Sequence, residues 1–226
     1  ERGFSFKREG PLDMRMNPSA QLSALEVVNG YSEQDLGRIF REFGEERHWR
    51  RLARAVVSER QVQPITTTAQ LADLVSRNAR IMERKKRQRR GGANKNSNNH
   101  RGIHPATRVF QAVRIEVNGE LEAIDTALPP MIRSLNPGGT IGVISFHSLE
   151  DRRIKRTFLE HAGKGGEGLG DLDRITKMER YTGVAPDVSR PATLRLQRKK
   201  PFMATAQEAE ANPRSRSAKY RYAEKM

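Results

Sequence analysis

Ser145, His147 and Ser148 follow one another closely at the end of the apolar run TIGVIS, residues 140–145. A short continuous apolar run bounded by turn residues reads as a buried strand of a parallel sheet. Open α/β sheets bind ligands at the carboxyl ends of such strands. Two hydroxyls and an imidazole at that edge are therefore candidates to touch a ligand. Each also has a plainer use. His147 could brace the strand-to-helix turn, and Ser148 could cap the helix that opens at Leu149. Upstream, Leu135-Asn136-Pro137-Gly138-Gly139 forms a turn whose glycines allow the strand to follow closely behind the preceding helix.

Other chemistry is argued against. The chain has no cysteine, and its five histidines are scattered. Neither disulfides nor a metal site is expected. No apolar run approaches the roughly 20 residues of a membrane helix, and a membrane partner is not expected. The net charge is +15 over 226 residues, with 31% charged residues. That balance argues for a polyanionic partner, RNA or DNA first. Candidate contacts are Arg47 and Arg50, with Arg51 and Arg54 beside them, and Arg101 in a basic tract. Arg108 either holds a phosphate or braces a helix end. Asp13 and Arg15 either face a ligand or form a local ion pair. Phe4 and Phe6, in a polar segment, are stacking candidates. Trp49 lies on an apolar stripe, which favours core packing.

The elements that must position these residues come next. Residues 1–18 read as irregular. Ser19 reads as the cap of a short helix ended by Gly30, and Ser32 as the cap of one carrying Leu36, Ile39, Phe40 and Phe43 on one face. A helix over 45–60 carries Trp49, Leu52, Ala53, Val56 and Val57. Another, capped by threonines 66–68, buries Leu71, Leu74 and Val75. Residues 84–104, RKKRQRR followed by an Asn-rich stretch, read as a mobile basic loop. TRVFQAVRIEVNG fits a strand by alternation and a helix by its 3.6 period. A helix over 120–135 should bend or split at Pro129-Pro130. Leu149–His161 is a helix, and TLRLQRK and AKYRYAEK are late strands. Glu1 carries no start methionine or targeting segment, so the chain reads as a fragment or processed product.

The run ISFHSLEDR resembles the MraW (RsmH) family of small-subunit ribosomal RNA cytosine-N4 methyltransferases. Other blocks agree in order: ERGFSF with GPLDMRM at 1–16, GEER with ARAVV at 44–57, HPATRVFQAVRIEVNGEL at 104–121 and NPRSRSAKYRYAEK at 212–225. The resemblance implies an α/β fold, the second half of a Rossmann-like (class I) methyltransferase with an inserted all-helical domain. Residues 1–18 would open the catalytic domain, 19–84 form the insert, 85–104 the mobile loop and 105–226 the C-terminal half. It implies S-adenosyl-L-methionine as cofactor and small-subunit ribosomal RNA, or the assembled small subunit, as partner. Ser145, His147 and Ser148 would then shape the catalytic pocket, with Asp13 and Arg15 beside them. The family's cofactor contacts lie upstream of Glu1. No Gly-x-Gly-Gly occurs here, and the glycine-rich 163–170 follows a helix, so no cofactor residue is assigned. The resemblance points to the cytoplasm; the Asn-rich stretch leaves a plastid or mitochondrial origin open. A rival reading is a non-catalytic RNA-binding remnant.

Overall fold

A computed structural model describes residues 2–89, 104–164 and 191–226. The chain divides into two compact units, 1–120 and 121–226.

The first unit is helical. Its elements are α1 (Ala24–Gly30), α2 (Glu33–Glu42), α3 (Trp49–Val62), α4 (Thr68–Arg89) and α5 (Pro105–Asn118). The α1 cap is Ser23 rather than Ser19. Ser23 and Glu26 form a reciprocal capping box, in which the serine accepts from the helix and the glutamate accepts from the Ser23 amide. Ser32 caps α2 as expected, accepting from Asp35 N at 3.1 Å. The third helix starts at Trp49, later than expected, because Glu45 takes a positive φ of 48° and breaks the approach. The fourth runs on to Arg89, so the helix covers part of the stretch expected to be a mobile loop. The rest of that loop lies outside the described residues.

For TRVFQAVRIEVNG the 3.6 period prevails over the alternation. Pro105 opens α5, His104 accepts from Ala106 N, and Gly119 closes it at φ 59°. This helix is the centre of the unit. Ala106, Val109, Phe110, Val113 and Val117 pack with Val27, Leu36, Phe40, Leu52, Val56, Leu71 and Val75 in one core. Each large side chain buried there contributes about 1.5–3 kcal/mol. Two glycines set the spacing. A Cβ at Gly44 would sit 2.8 Å from the Arg108 carbonyl oxygen, and one at Gly37 would sit 2.9 Å from the Trp49 ring. The opening segment belongs to this unit too. Leu12 and Met14 are buried in its core. Met14 N donates to Arg2 O at 2.8 Å, and Asn118 Nδ2 donates to Met14 O at 2.8 Å. The compact division thus falls after residue 120, whereas the sequence boundary stood at 105, because α5 packs with the helices before it.

The second unit is mixed. It contains α6 (Glu120–Ser134), β1 (Thr140–Ser145), α7 (Ser148–His161), β2 (Leu194–Leu196), β3 (Phe202–Met203), α8 (Ala206–Ala211), a 3-10 turn (Pro213–Ser217) and β4 (Lys219–Lys225). The helix α6 runs through Pro129-Pro130 without splitting. Pro130 is exposed, so a backbone carbonyl freed there can bond water. The short β3, α8 and the 3-10 turn were not anticipated.

The TIGVIS strand departs from expectation. Its described pairing is antiparallel, with β4, in the register Ile141↔Ala223 and Ser145↔Lys219. The sheet order is β1-β4-β2, with β3 also on β4. One face is buried: Ile141, Leu194 and Ala223 pack with Leu128 and Ile132 of α6 and Ile154 and Phe158 of α7. On the other face Ile144 is exposed, and Tyr220 and Tyr222 stack at 5.9 Å. An unbroken apolar run suggested burial on both faces; the described helices cover only one.

Candidate functional site

Period-two alternation decides what the end of β1 presents. Ser145 turns inward with Ile141 and is 2% exposed; its Oγ donates to Lys219 O at 3.4 Å. The next side chain, Phe146, therefore turns outward and is 56% exposed. The chain then enters α7 through a capping box made by His147, not by Ser148. His147 Nδ1 accepts from Glu150 N at 3.4 Å. Glu150 Oε2 accepts from Phe146 N at 2.8 Å and from His147 N at 3.1 Å. His147 Nε2 lies 3.2 Å from Glu150 Oε1, but the alignment is not that of a hydrogen bond, so we read a polar contact there. Ser148 is exposed in the first turn of α7.

Glu150 is the electrostatic centre of this corner. Burial pushes its carboxyl up, yet the His147 ring and the amides of Phe146 and His147 outweigh it and hold the pKa at about 2. Beside it Asp151 faces β4. It accepts from Arg221 Nε at 2.7 Å and Nη2 at 3.2 Å, with Lys219 Nζ at 3.7 Å. Two carboxylates at the positive end of α7 also suit the helix dipole. The strand-to-helix corner is thus fixed on both sides. Fixing it holds Phe146 outward by its own backbone.

The expected catalytic trio therefore divides. Ser145 is buried in the sheet, His147 caps α7 through Nδ1 while its Nε2 makes no hydrogen bond, and Ser148 is exposed together with Phe146, which was not among the expected residues. Part of the signal was in the sequence: Ser145 and Phe146 must face opposite ways, though not which of them faces out, and a polar residue three before Glu150 is a capping-box spacing.

The remaining candidates lie in the first unit. Asp13 and Arg15 form the local ion pair: Arg15 Nε and Nη2 each donate to Asp13 at 2.8 Å, and Arg15 Nη1 donates to Ala20 O at 2.8 Å. The guanidinium holds the Asp13 carboxyl at about 2. Between them Met14 is buried at φ 59°, an uncommon conformation for a non-glycine residue. Phe6 is not free to stack on a base. It stacks on His104 at 4.7 Å and meets the edge of Phe110 at 5.3 Å. Phe4 is exposed, with the Arg2 guanidinium 5.7 Å from its ring. Arg108 Nη1 donates to Glu45 O at 3.4 Å, bracing the turn after α2. Arg47 and Arg50 are exposed, and Arg50 lies over the Trp49 ring at 4.4 Å. Arg101 and most of the glycine-rich 163–170 lie outside the described residues.

A Pro-Gly-Gly turn, a strand and a tightly capped helix, with an exposed aromatic at the strand's carboxyl end, make an edge of mixed helix-and-sheet type. Comparison with known proteins gives the chain a class, the methyltransferases. The chain belongs to the MraW methylase family, whose model matches residues 1–226. It is 43% identical over its full length to the ribosomal RNA small subunit methyltransferase H of Protochlamydia amoebophila, of which it covers 63%. It is likewise 43% identical to the protein of that name from Caldicellulosiruptor saccharolyticus, covering 64%. With the Bradyrhizobium diazoefficiens protein it shares 45% identity over 99% of its length, covering 59%. The chain thus spans about three fifths of the length of these curated relatives.

Proposed function

We propose that the complete protein transfers a methyl group from S-adenosyl-L-methionine to the N4 amine of a cytidine in small-subunit ribosomal RNA. The β1–α7 corner forms a wall of the target-base pocket. The observation that carries the second statement is Phe146, exposed at the carboxyl end of β1 while its amide is bound by Glu150. Family membership over the whole chain supports the first.

The chemistry explains the need for such a wall. The cytosine N4 lone pair is delocalised into the ring and is a weak nucleophile. It must be held in line with the methyl donor. The base must first leave its stack, and an aromatic face compensates for the stacking it loses. Phe146 supplies that face, and a pinned backbone keeps it from turning away. At the corner Ser145, His147 Nδ1 and Glu150 Oε2 already bond to neighbouring backbone, while His147 Nε2 makes no hydrogen bond.

The fold that this reading calls for is a Rossmann-like class I methyltransferase. The second unit supplies the last part of its sheet, and the helices of the first unit are the inserted domain. The cytoplasm is the compartment such an enzyme of ribosome maturation would occupy. Among the described residues no helix is long and apolar enough to cross a membrane.

The test uses the complete protein with small ribosomal subunits and methyl-labelled S-adenosylmethionine. Label is expected in the RNA. Phe146→Ala is expected to lower kcat/KM by about fivefold to a hundredfold, in line with about 1–3 kcal/mol for a base–aromatic stack, while Phe146→Tyr stays near the wild type. Folded protein that leaves the RNA unlabelled would overturn the reading. Equal rates for Phe146→Ala and wild type would remove Phe146 from the pocket.

A further inference from the structure

We infer that the exposed start of α3, with Arg47 and Arg50 around Trp49 and Arg41 from α2 beside it, is a docking surface for RNA phosphates. From Arg47 to Ser58 the sequence holds four arginines and no acidic residue. Most arginines near this surface are engaged. Arg38 pairs with Glu116, Arg41 with Glu42 and Arg54 with Glu33, and Arg51 reaches Met82. Arg47 and Arg50 are exposed and have no carboxylate partner among the described residues.

Their placement is unfavourable for the fold alone. Cations at the start of a helix oppose its dipole. The helix has no acidic residue in its first turn, and its cap residue, His48, makes no side-chain capping bond. Glu46 accepts from His48 N at 2.9 Å just before the helix, but no carboxylate pairs with Arg47 or Arg50 among the described residues. A local rule broken with so little internal compensation points to a partner that supplies it. Here the missing element is negative charge.

The tryptophan between them is rigid. One contact of its ring is the backbone at Gly37, where any Cβ would stand 2.9 Å away. Guanidinium groups of Arg50 and Arg41 lie 4.4 Å and 5.3 Å from its centroid. The ring holds these long side chains in place, so less rotamer entropy is lost when they bind. Planar guanidinium donors on a fixed platform suit phosphate oxygens. The surface rests on the reading that the protein acts on RNA and adds a contact distinct from Phe146.

Trp49 is the only tryptophan in the chain, so its emission reports on this surface directly. The test titrates the chain with a single-stranded RNA oligonucleotide at several salt concentrations. Trp49 emission is expected to change on binding. The double substitution Arg47→Ala, Arg50→Ala should weaken binding roughly tenfold and reduce the log–log salt slope by about 1.4, or about 0.7 per lost phosphate contact. Arg47→Ala alone, which removes no described contact, should give about half the slope change. Unchanged affinity and slope in both variants, no RNA binding by the wild type, or an equal Trp49 response to anionic phosphatidylglycerol vesicles would overturn the inference. The two readings separate cleanly. RNA docking without methyl transfer by the complete protein would sink the enzymatic reading and leave this surface. Methyl transfer and RNA binding both unaffected by the double substitution would do the reverse.

Discussion

Asp151→Ala is expected to destabilise the 121–226 unit by about 1–3 kcal/mol, between the values for an exposed ion pair and for one partner removed from a buried pair. The Asp151 and Arg221 side chains are 14% and 10% exposed and joined by two hydrogen bonds. Without the carboxylate, Arg221 keeps one bond, from Nη1 to Lys199 O at 2.9 Å, and stays half-buried with Lys219 close by. The loss comes mainly from that stranded charge. Pairing the change with Arg221→Leu should therefore recover part of the stability. Denaturant midpoints for the single and double variants measure both effects. A loss below about 1 kcal/mol, or a double variant weaker than the single, would show that the pair does not hold α7 to β4.

The second large effect concerns Glu150. Glu150→Ala is expected to cost about 2–3 kcal/mol, because it leaves the amides of Phe146 and His147 without their charged acceptor. The contribution has a definite pH sign. The carboxyl sits at about 2 in the folded chain against an ordinary 4.5. Its stabilisation is present above pH 4.5 and is lost as pH falls from there toward 2. Wild type and variant should differ by a constant amount above about pH 5 and converge in acid. The Asp13 carboxyl, also held at about 2, remains in both proteins and cancels in the comparison. A difference that does not shrink in acid would mean that Glu150 acts through packing and not through its charge.

Local rules that involve neighbours in sequence were the legible part of this molecule. Ser32 as a cap and the Leu36–Ile39–Phe40 stripe were readable because a helix is built from contacts three and four residues apart. The corner at 145–150 was readable as a place, since an apolar run followed by polar residues marks a strand end. Its internal arrangement was not. Whether Ser145 or Phe146 faces outward depends on which face of β1 the helices α6 and α7 cover, a contact distant in sequence. The same holds for Phe6. In a polar segment it looks available, and only the arrival of His104 and Phe110, about a hundred residues later, turns it into packing. The reading of α5 was ambiguous because Val113, Ile115 and Val117 alternate like a strand while Phe110, Val113 and Val117 fit a helix. Burial of Ala106, Val109 and Phe110 against other helices settles it. The antiparallel partner of β1 comes from the last seven residues before Met226, which no pattern within TIGVIS could reveal.

The central claim is the atom that receives the methyl group, and nucleoside analysis tests it most directly. Small-subunit RNA treated with the complete protein and S-adenosylmethionine is digested to nucleosides and resolved by mass spectrometry against standards. The account predicts one new product, cytidine methylated at N4, absent when the protein is omitted. A methyl group on cytidine C5, on the ribose oxygen or on another base would contradict it.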